Sequence, residues 1–151
     1  MRRVASAIAI AAFLAAGPVH AFEAAGADII GLRLGMSEAD VAAELARQGY
    51  AMSLAQGVIR SETKDGRLRV MLSPQRSVTE IIYVFYARGV GGPARVRDAV
   101  TTRFGDPNQA APPTWCRAVG RDGVCPADQA TLTFLPDSLT MRLMAGQDRA
   151  R

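Results

Sequence analysis

Apolar and charged residues alternate on both sides of Asp65-Gly66, a pattern that predicts an antiparallel hairpin. Strands are expected over 58–64 and 67–72. With Asp65-Gly66 as a two-residue turn, Thr63 faces Leu68, Ser61 faces Val70 and Ile59 faces Leu72 on the side to be buried. The other side carries Arg60, Glu62, Lys64, Arg67, Arg69 and Met71, with Glu62 across from Arg69. Four basic groups against one acid leave +3 on that side. Such a side is either the wet face of an antiparallel sheet or a docking surface for an acidic partner or an anionic envelope polymer.

The flanking segments extend this core. A third strand is predicted over 78–86, where Ile81-Ile82-Tyr83-Val84-Phe85-Tyr86 is apolar on both faces and therefore belongs in a covered or central position. Upstream, Ser37 is a good N-cap, Glu38 and Asp40 suit a first helical turn, and Met36 and Val41 suit a hydrophobic staple. Arg47 and Gly49 close this helix, expected over 38–48. Its acids, Glu44 included, are then capping and solvating groups. Downstream of Gly89-Val90-Gly91-Gly92, Pro93 opens a second helix whose Val96, Val100 and Phe104 share a face. A strand over 114–119 follows, then a last hairpin from Thr131-Leu132-Thr133-Phe134 to 139–144 around Pro136-Asp137-Ser138. The expected class is α+β. Two tandem helix-plus-three-strand units, about 31–88 and 93–146, form an antiparallel sheet with helices on one face.

Residues 1–21 read as a cleavable secretion signal: Arg2 and Arg3, an apolar run over 4–16, Gly17-Pro18, then Val19-His20-Ala21. The run is shorter than the ~20 apolar residues of a membrane-spanning helix. No Cys stands at the cleavage position to carry a lipid. Residues 22–151 then form a single α+β domain, periplasmic or secreted, with no membrane span. The chain carries 18 basic and 14 acidic residues, and loss of Arg2 and Arg3 leaves a balance of +2. That is too weak a charge to argue for nucleic acid. Lys64 is the only lysine; an arginine bias supports bidentate carboxylate or phosphate contacts, and genome composition is the preferred explanation of it.

Cys116 and Cys125 suit an oxidising compartment. Paired with each other they would close a short loop worth about 2.7 kcal/mol in the chain-entropy model; a bridge between two chains satisfies the same composition. The spacing is not that of a redox CxxC motif. The only histidine, His20, lies in the signal. The mature chain is thus without Ser-His-Asp and Cys-His catalysis and without histidine metal ligation. No phosphate loop or dinucleotide fingerprint is present. No metal, no cofactor and no enzymatic activity are expected. An enzyme reading would need a carboxylate pair such as Glu62 and Glu80.

Gly35-Met36-Ser37-Glu38-Ala39-Asp40-Val41 resembles the Gly-Met-Ser/Thr-x-x-x-Val helix opening of the BamE (SmpA/OmlA) family and of the beta-lactamase-inhibitor-protein-like fold. Phe104-Gly105-Asp106-Pro107 resembles the Gly-x-Pro that closes the helix in such units, and Leu132-Thr133-Phe134 their terminal hairpin. The resemblance implies an α+β module in tandem, helices on one face of a sheet and the other face free to bind protein. BamE proteins are lipoproteins that support outer-membrane protein assembly; this chain lacks the lipid-bearing Cys, and its final turn lacks the usual Asn/Asp-Gly. The expectation is a non-enzymatic binding module for another envelope protein, with Arg60, Arg67, Arg69 and Trp115 as candidate contacts. Packing beside Cys116 is the competing role for Trp115. A small-ligand or envelope-polymer binder, with its ligand between helices and sheet, is the alternative, and an apolar concavity there would favour it. The sequence carries no signal for an oligomeric state.

Overall fold

The computed structural model describes residues 26–147; the predicted signal at 1–21 lies outside them. A two-stranded ribbon comes first, β1 (Asp28–Ile29) with β2 (Leu32–Arg33), followed by helix α1 (Glu38–Arg47). Four strands follow: β3 (Met52–Ala55), β4 (Val58–Glu62), β5 (Gly66–Leu72) and β6 (Val78–Phe85). A one-turn helix α2 (Ala87–Val90) leads into α3 (Pro93–Phe104). Four more strands close the chain: β7 (Gln109–Ala110), β8 (Pro113–Trp115), β9 (Thr131–Leu135) and β10 (Thr140–Met144). The last eight strands make one antiparallel sheet in the order β3-β4-β5-β6-β10-β9-β8-β7.

This corrects the expected architecture. The chain is not two helix-plus-three-strand units; an eight-stranded sheet and a two-stranded ribbon dominate it. Four strands, not three, follow each long helix, because β3 and β7 escape a reading based on alternation. β3 is Met-Ser-Leu-Ala at a sheet edge, and β7 is two residues long.

Helix α1 starts as its sequence dictates. Ser37 Oγ accepts the backbone N–H of Asp40 at 3.1 Å. The turn before it is tied to the sheet: Gly35 N–H donates to Val78 C=O at 2.8 Å, and Val78 N–H to Met36 C=O at 2.9 Å. Gly35 needs its glycine, because its φ is +79°. The acids of this segment are occupied locally. Glu38 pairs with Arg76 at 2.7 Å, Asp40 accepts from Ser37 Oγ at 2.7 Å, and Glu44 pairs with Arg47 at 2.5 Å. The Glu44 carboxyl is held below its usual range, first by hydrogen bonding to Arg47 and then by Gln48.

One face of the sheet makes the core. Ile59, Val70, Ile81, Leu143, Leu132 and Trp115 run across six strands as a single buried row. Leu68, Tyr83, Met141 and Phe134 form the next. Val41 and Leu45 of α1, Val96 and Val100 of α3, and Ile29 and Leu32 of the ribbon complete the same cluster. Arg103 of α3 pairs with Asp28 of β1, which fixes helix to ribbon.

The central hairpin is paired two residues away from the expected register. Ser61 faces Leu68, Ile59 faces Val70 and Glu62 faces Arg67. Lys64-Asp65 forms the loop, and Gly66 belongs to β5. The glycine serves close approach: a Cβ there would lie 2.8 Å from the Tyr83 ring and 2.4 Å from Val84 O. Thr63 completes the corner. Its Oγ1 accepts Gly66 N–H at 3.1 Å and lies 2.6 Å from the Tyr83 hydroxyl. A shift of two leaves every side chain on its predicted face, whereas a shift of one would have exchanged the faces.

Tyr83 carries a pH dependence into this corner. It is 3% exposed, and burial pushes its pKa up to about 12. The unfolded chain ionises near 10. The stability from keeping Tyr83 neutral is therefore whole below pH 10 and is lost as the pH rises to about 12. The two-unit difference corresponds to about 2–3 kcal/mol. Urea melts of wild type and Tyr83→Phe from pH 9 to 12 should show a flatter alkaline limb in the variant. Parallel curves would mean that Tyr83 does not carry it.

Candidate functional site

The face of the sheet turned away from the core is built by the residues between the buried ones. Arg60 and Glu62 of β4 and Arg67 and Arg69 of β5 are exposed, as their alternation predicts. β6 adds Glu80, Ile82 and Val84, and β10 adds Arg142. Reading across strands, one row runs Ser53, Arg60, Arg69, Ile82, Arg142 and Thr133. The adjacent row runs Glu62, Arg67, Val84 and Thr140.

The charges on this face divide into two groups. Glu80 pairs with Arg142. Glu62 accepts a hydrogen bond from the Tyr86 hydroxyl, and Arg67 lies 5.8 Å from the centre of the Tyr86 ring. The Arg67 guanidinium is held above its usual range, first by the Tyr86 hydroxyl and then by Glu62. Arg60 and Arg69 differ. They stand directly opposite each other on neighbouring strands. Among the described residues, neither has an ion-pair partner. Like charges in directly opposed positions destabilise a sheet, so the pair costs the fold free energy in the absence of an anion.

Around them the surface dips. A shallow depression of about 680 Å³ is bounded by Met52 and Ser53 of β3, by Arg60, Arg67 and Arg69 together with the one acid Glu62, and by Val84 of β6. Val84 is 37% exposed, so the floor offers apolar contact beside the cations. A second open depression of about 820 Å³, at the end of β6, has Lys64, Arg88 and Arg95 with Asp65 and Tyr86 on its walls. It continues the basic character of the first.

Trp115 does not belong with these residues. It is completely buried, and its Nε1–H donates to Gly105 C=O at 2.8 Å. The expected contact is corrected: the indole is a core group tying β8 to the end of α3, out of reach of a partner. Cys116 and Cys125 pair with each other, with Cα atoms 5.9 Å apart. The loop they close is braced by Asn108, which accepts Cys116 N–H at 2.8 Å, and by Gln109, which accepts Cys125 N–H at 3.0 Å.

The topology keeps Glu62 and Glu80 apart. Glu62 lies across from Arg67, whereas Glu80 lies between Met71 and Met144. Among the described residues no group of three or more His, Cys, Asp or Glu is arranged to hold a metal ion. No described helix is long and apolar enough to cross a membrane. The arrangement offers charge and shape: two unneutralised guanidiniums on a rigid hairpin, each able to take a carboxylate in bidentate fashion. The sequence placed these arginines on the right face and missed their opposition, because its register set Arg69 across from Glu62. No family model, no curated protein and no solved structure matches this chain.

Proposed function

We propose that this chain is a non-enzymatic binding module of the periplasm or the extracellular space that docks an acidic protein on the outer face of its sheet. The observation that carries the reading is the Arg60–Arg69 pair, opposed and without a counter-ion. A partner carboxylate between the two guanidiniums converts a repulsive pair into a bridged one. The disulfide suits the compartment. The Gly-Met-Ser helix opening suits a module of the BamE-like or inhibitor-like kind, for which envelope assembly is the proposed setting.

The small-ligand alternative places its ligand between helices and sheet. That space is filled by Val41, Leu45, Val96 and Val100 packed on Val70, Ile81 and Leu143. The depressions lie on the surface instead, and the larger number of basic groups there favours an anionic segment over an apolar small molecule.

A labelled ten-residue glutamate-rich peptide, followed by fluorescence anisotropy, tests the reading. Wild-type protein should bind it in a salt-sensitive way, and Arg60→Glu with Arg69→Glu should weaken binding at least tenfold. Arg69→Glu alone should also raise the melting temperature by about 1–3 °C, because it turns a like-charge pair into an opposite one. Unchanged affinity in the double variant would remove this face from the proposal. Displacement of the peptide by an uncharged polymer as readily as by a polyanion would remove the role of charge.

A further inference from the structure

The two edges of the eight-stranded sheet are unequal. At one end β7 is only two residues long and is flanked by Pro107 and Pro112, which blunts it against pairing with another chain. At the other end β3 is twice that length and carries neither charge nor proline. Gln56 and Gly57, with φ of +50° and +73°, form a tight turn that holds β3 in register on β4. Ser53, Leu54 and Ala55 are exposed. Leu54 projects on the core side of the sheet and is 36% exposed, so the apolar layer ends there uncovered.

We infer that β3 accepts an extended acidic segment of a partner protein as a ninth strand, with an acidic side chain reaching Arg60, the nearer member of the Arg60–Arg69 pair. The inference rests on the docking reading above and adds how the partner binds. Strands lie about 4.8 Å apart, so a residue added beside Ser53 sits about 10 Å from Arg60 across the sheet. A glutamate and an arginine side chain together span that gap, and Ser53 is small enough to let them meet over it. The next residues of the added strand fall beside Met52 and Leu54 on the core side. The segment this edge fits is therefore alternating, apolar toward the core and acidic toward the arginines. A second copy of this chain is a poor occupant, because its own β3 would bring Ser53 and Ala55 to the outer side, where no acid would meet Arg60.

The test uses two ten-residue peptides of one composition, one alternating valine and glutamate and one with the same residues in blocks. Residue-resolved amide hydrogen exchange of the protein reads out the edge. The alternating peptide should bind at least tenfold tighter than the blocked one and should slow exchange of β3 amides at least tenfold. Leu54→Pro, checked for an unchanged fold by circular dichroism, should abolish both effects. If both peptides bind equally, depend on Arg60 and Arg69 and leave β3 exchange unchanged, the edge inference fails while docking on the face stands. If no acidic peptide binds, both fail. If β3 amides are already protected in a concentration-dependent way without peptide, a second copy holds the edge and the inference is overturned.

Discussion

Trp115→Ala is expected to lower the unfolding free energy by about 3–5 kcal/mol, the largest effect of any single substitution considered for this chain. The indole is fully buried at the end of the row that runs from Ile59 through Val70, Ile81, Leu143 and Leu132. Its removal opens a cavity between β8, β9 and α3 that backbone tied down by the Cys116–Cys125 bridge has little freedom to close. It also removes the donor to Gly105 C=O, the hydrogen bond that closes α3 onto the sheet. Trp115→Phe should lose much less, since the phenyl ring refills most of the volume. Chemical denaturation of both variants decides the point. Equal and small losses would place Trp115 at the surface and reinstate it as a contact residue.

Gly66→Ala comes next, with an expected loss of about 3 kcal/mol. A methyl group at this position would come within 2.4 Å of Val84 O and 2.8 Å of the Tyr83 ring. Neither obstacle yields cheaply. Val84 belongs to β6, which is paired on both sides by β5 and β10. Tyr83 is buried and joined to Thr63. The alanine variant has a normal backbone angle available, so conformational strain is not the cause. The distinction is measurable: Gly66→Ala combined with Tyr83→Leu should recover part of the loss, because one of the two clashes is relieved. No recovery would trace the effect to the backbone contact with Val84 alone.

These two positions also mark where the sequence stops being readable. The alternation of 58–72 correctly sorts Arg60, Arg67 and Arg69 from Ile59, Leu68 and Val70, because a period of two depends only on neighbours. The register does not depend only on neighbours. Asp65-Gly66 has the composition of a tight turn, yet Gly66 is required by Tyr83, a residue seventeen positions further along, and the turn moves to Lys64-Asp65. The opposition of Arg60 and Arg69 follows from that move and is invisible without it. Helices α1 and α3 were legible from Ser37, Pro93 and the spacing of Val41, Leu45, Val96 and Val100, all local signals. β3 and β7 carry no such signal: pairing with β4 and β8 makes them strands. For Trp115 the sequence leaves contact and packing side by side, because β8 is buried on both faces and offers no alternation; burial decides for packing.

The role of the outer face follows from one cost. Arg60 and Arg69 are placed where they repel, on a hairpin that would be more stable with one of them acidic. On the proposed function, the pair trades stability in isolation for binding to an anionic partner, the usual opposition between stability and function.

The most direct measurement is site-specific photocrosslinking in cells that express the full chain, with a photoreactive side chain at Val84 on the outer face or at Asp98 on the exposed side of α3. The account predicts a crosslink from position 84 to one partner protein, its loss with Arg60→Glu and Arg69→Glu, and none from position 98. A crosslink from position 98 alone, or one from position 84 that survives the double reversal, would contradict it.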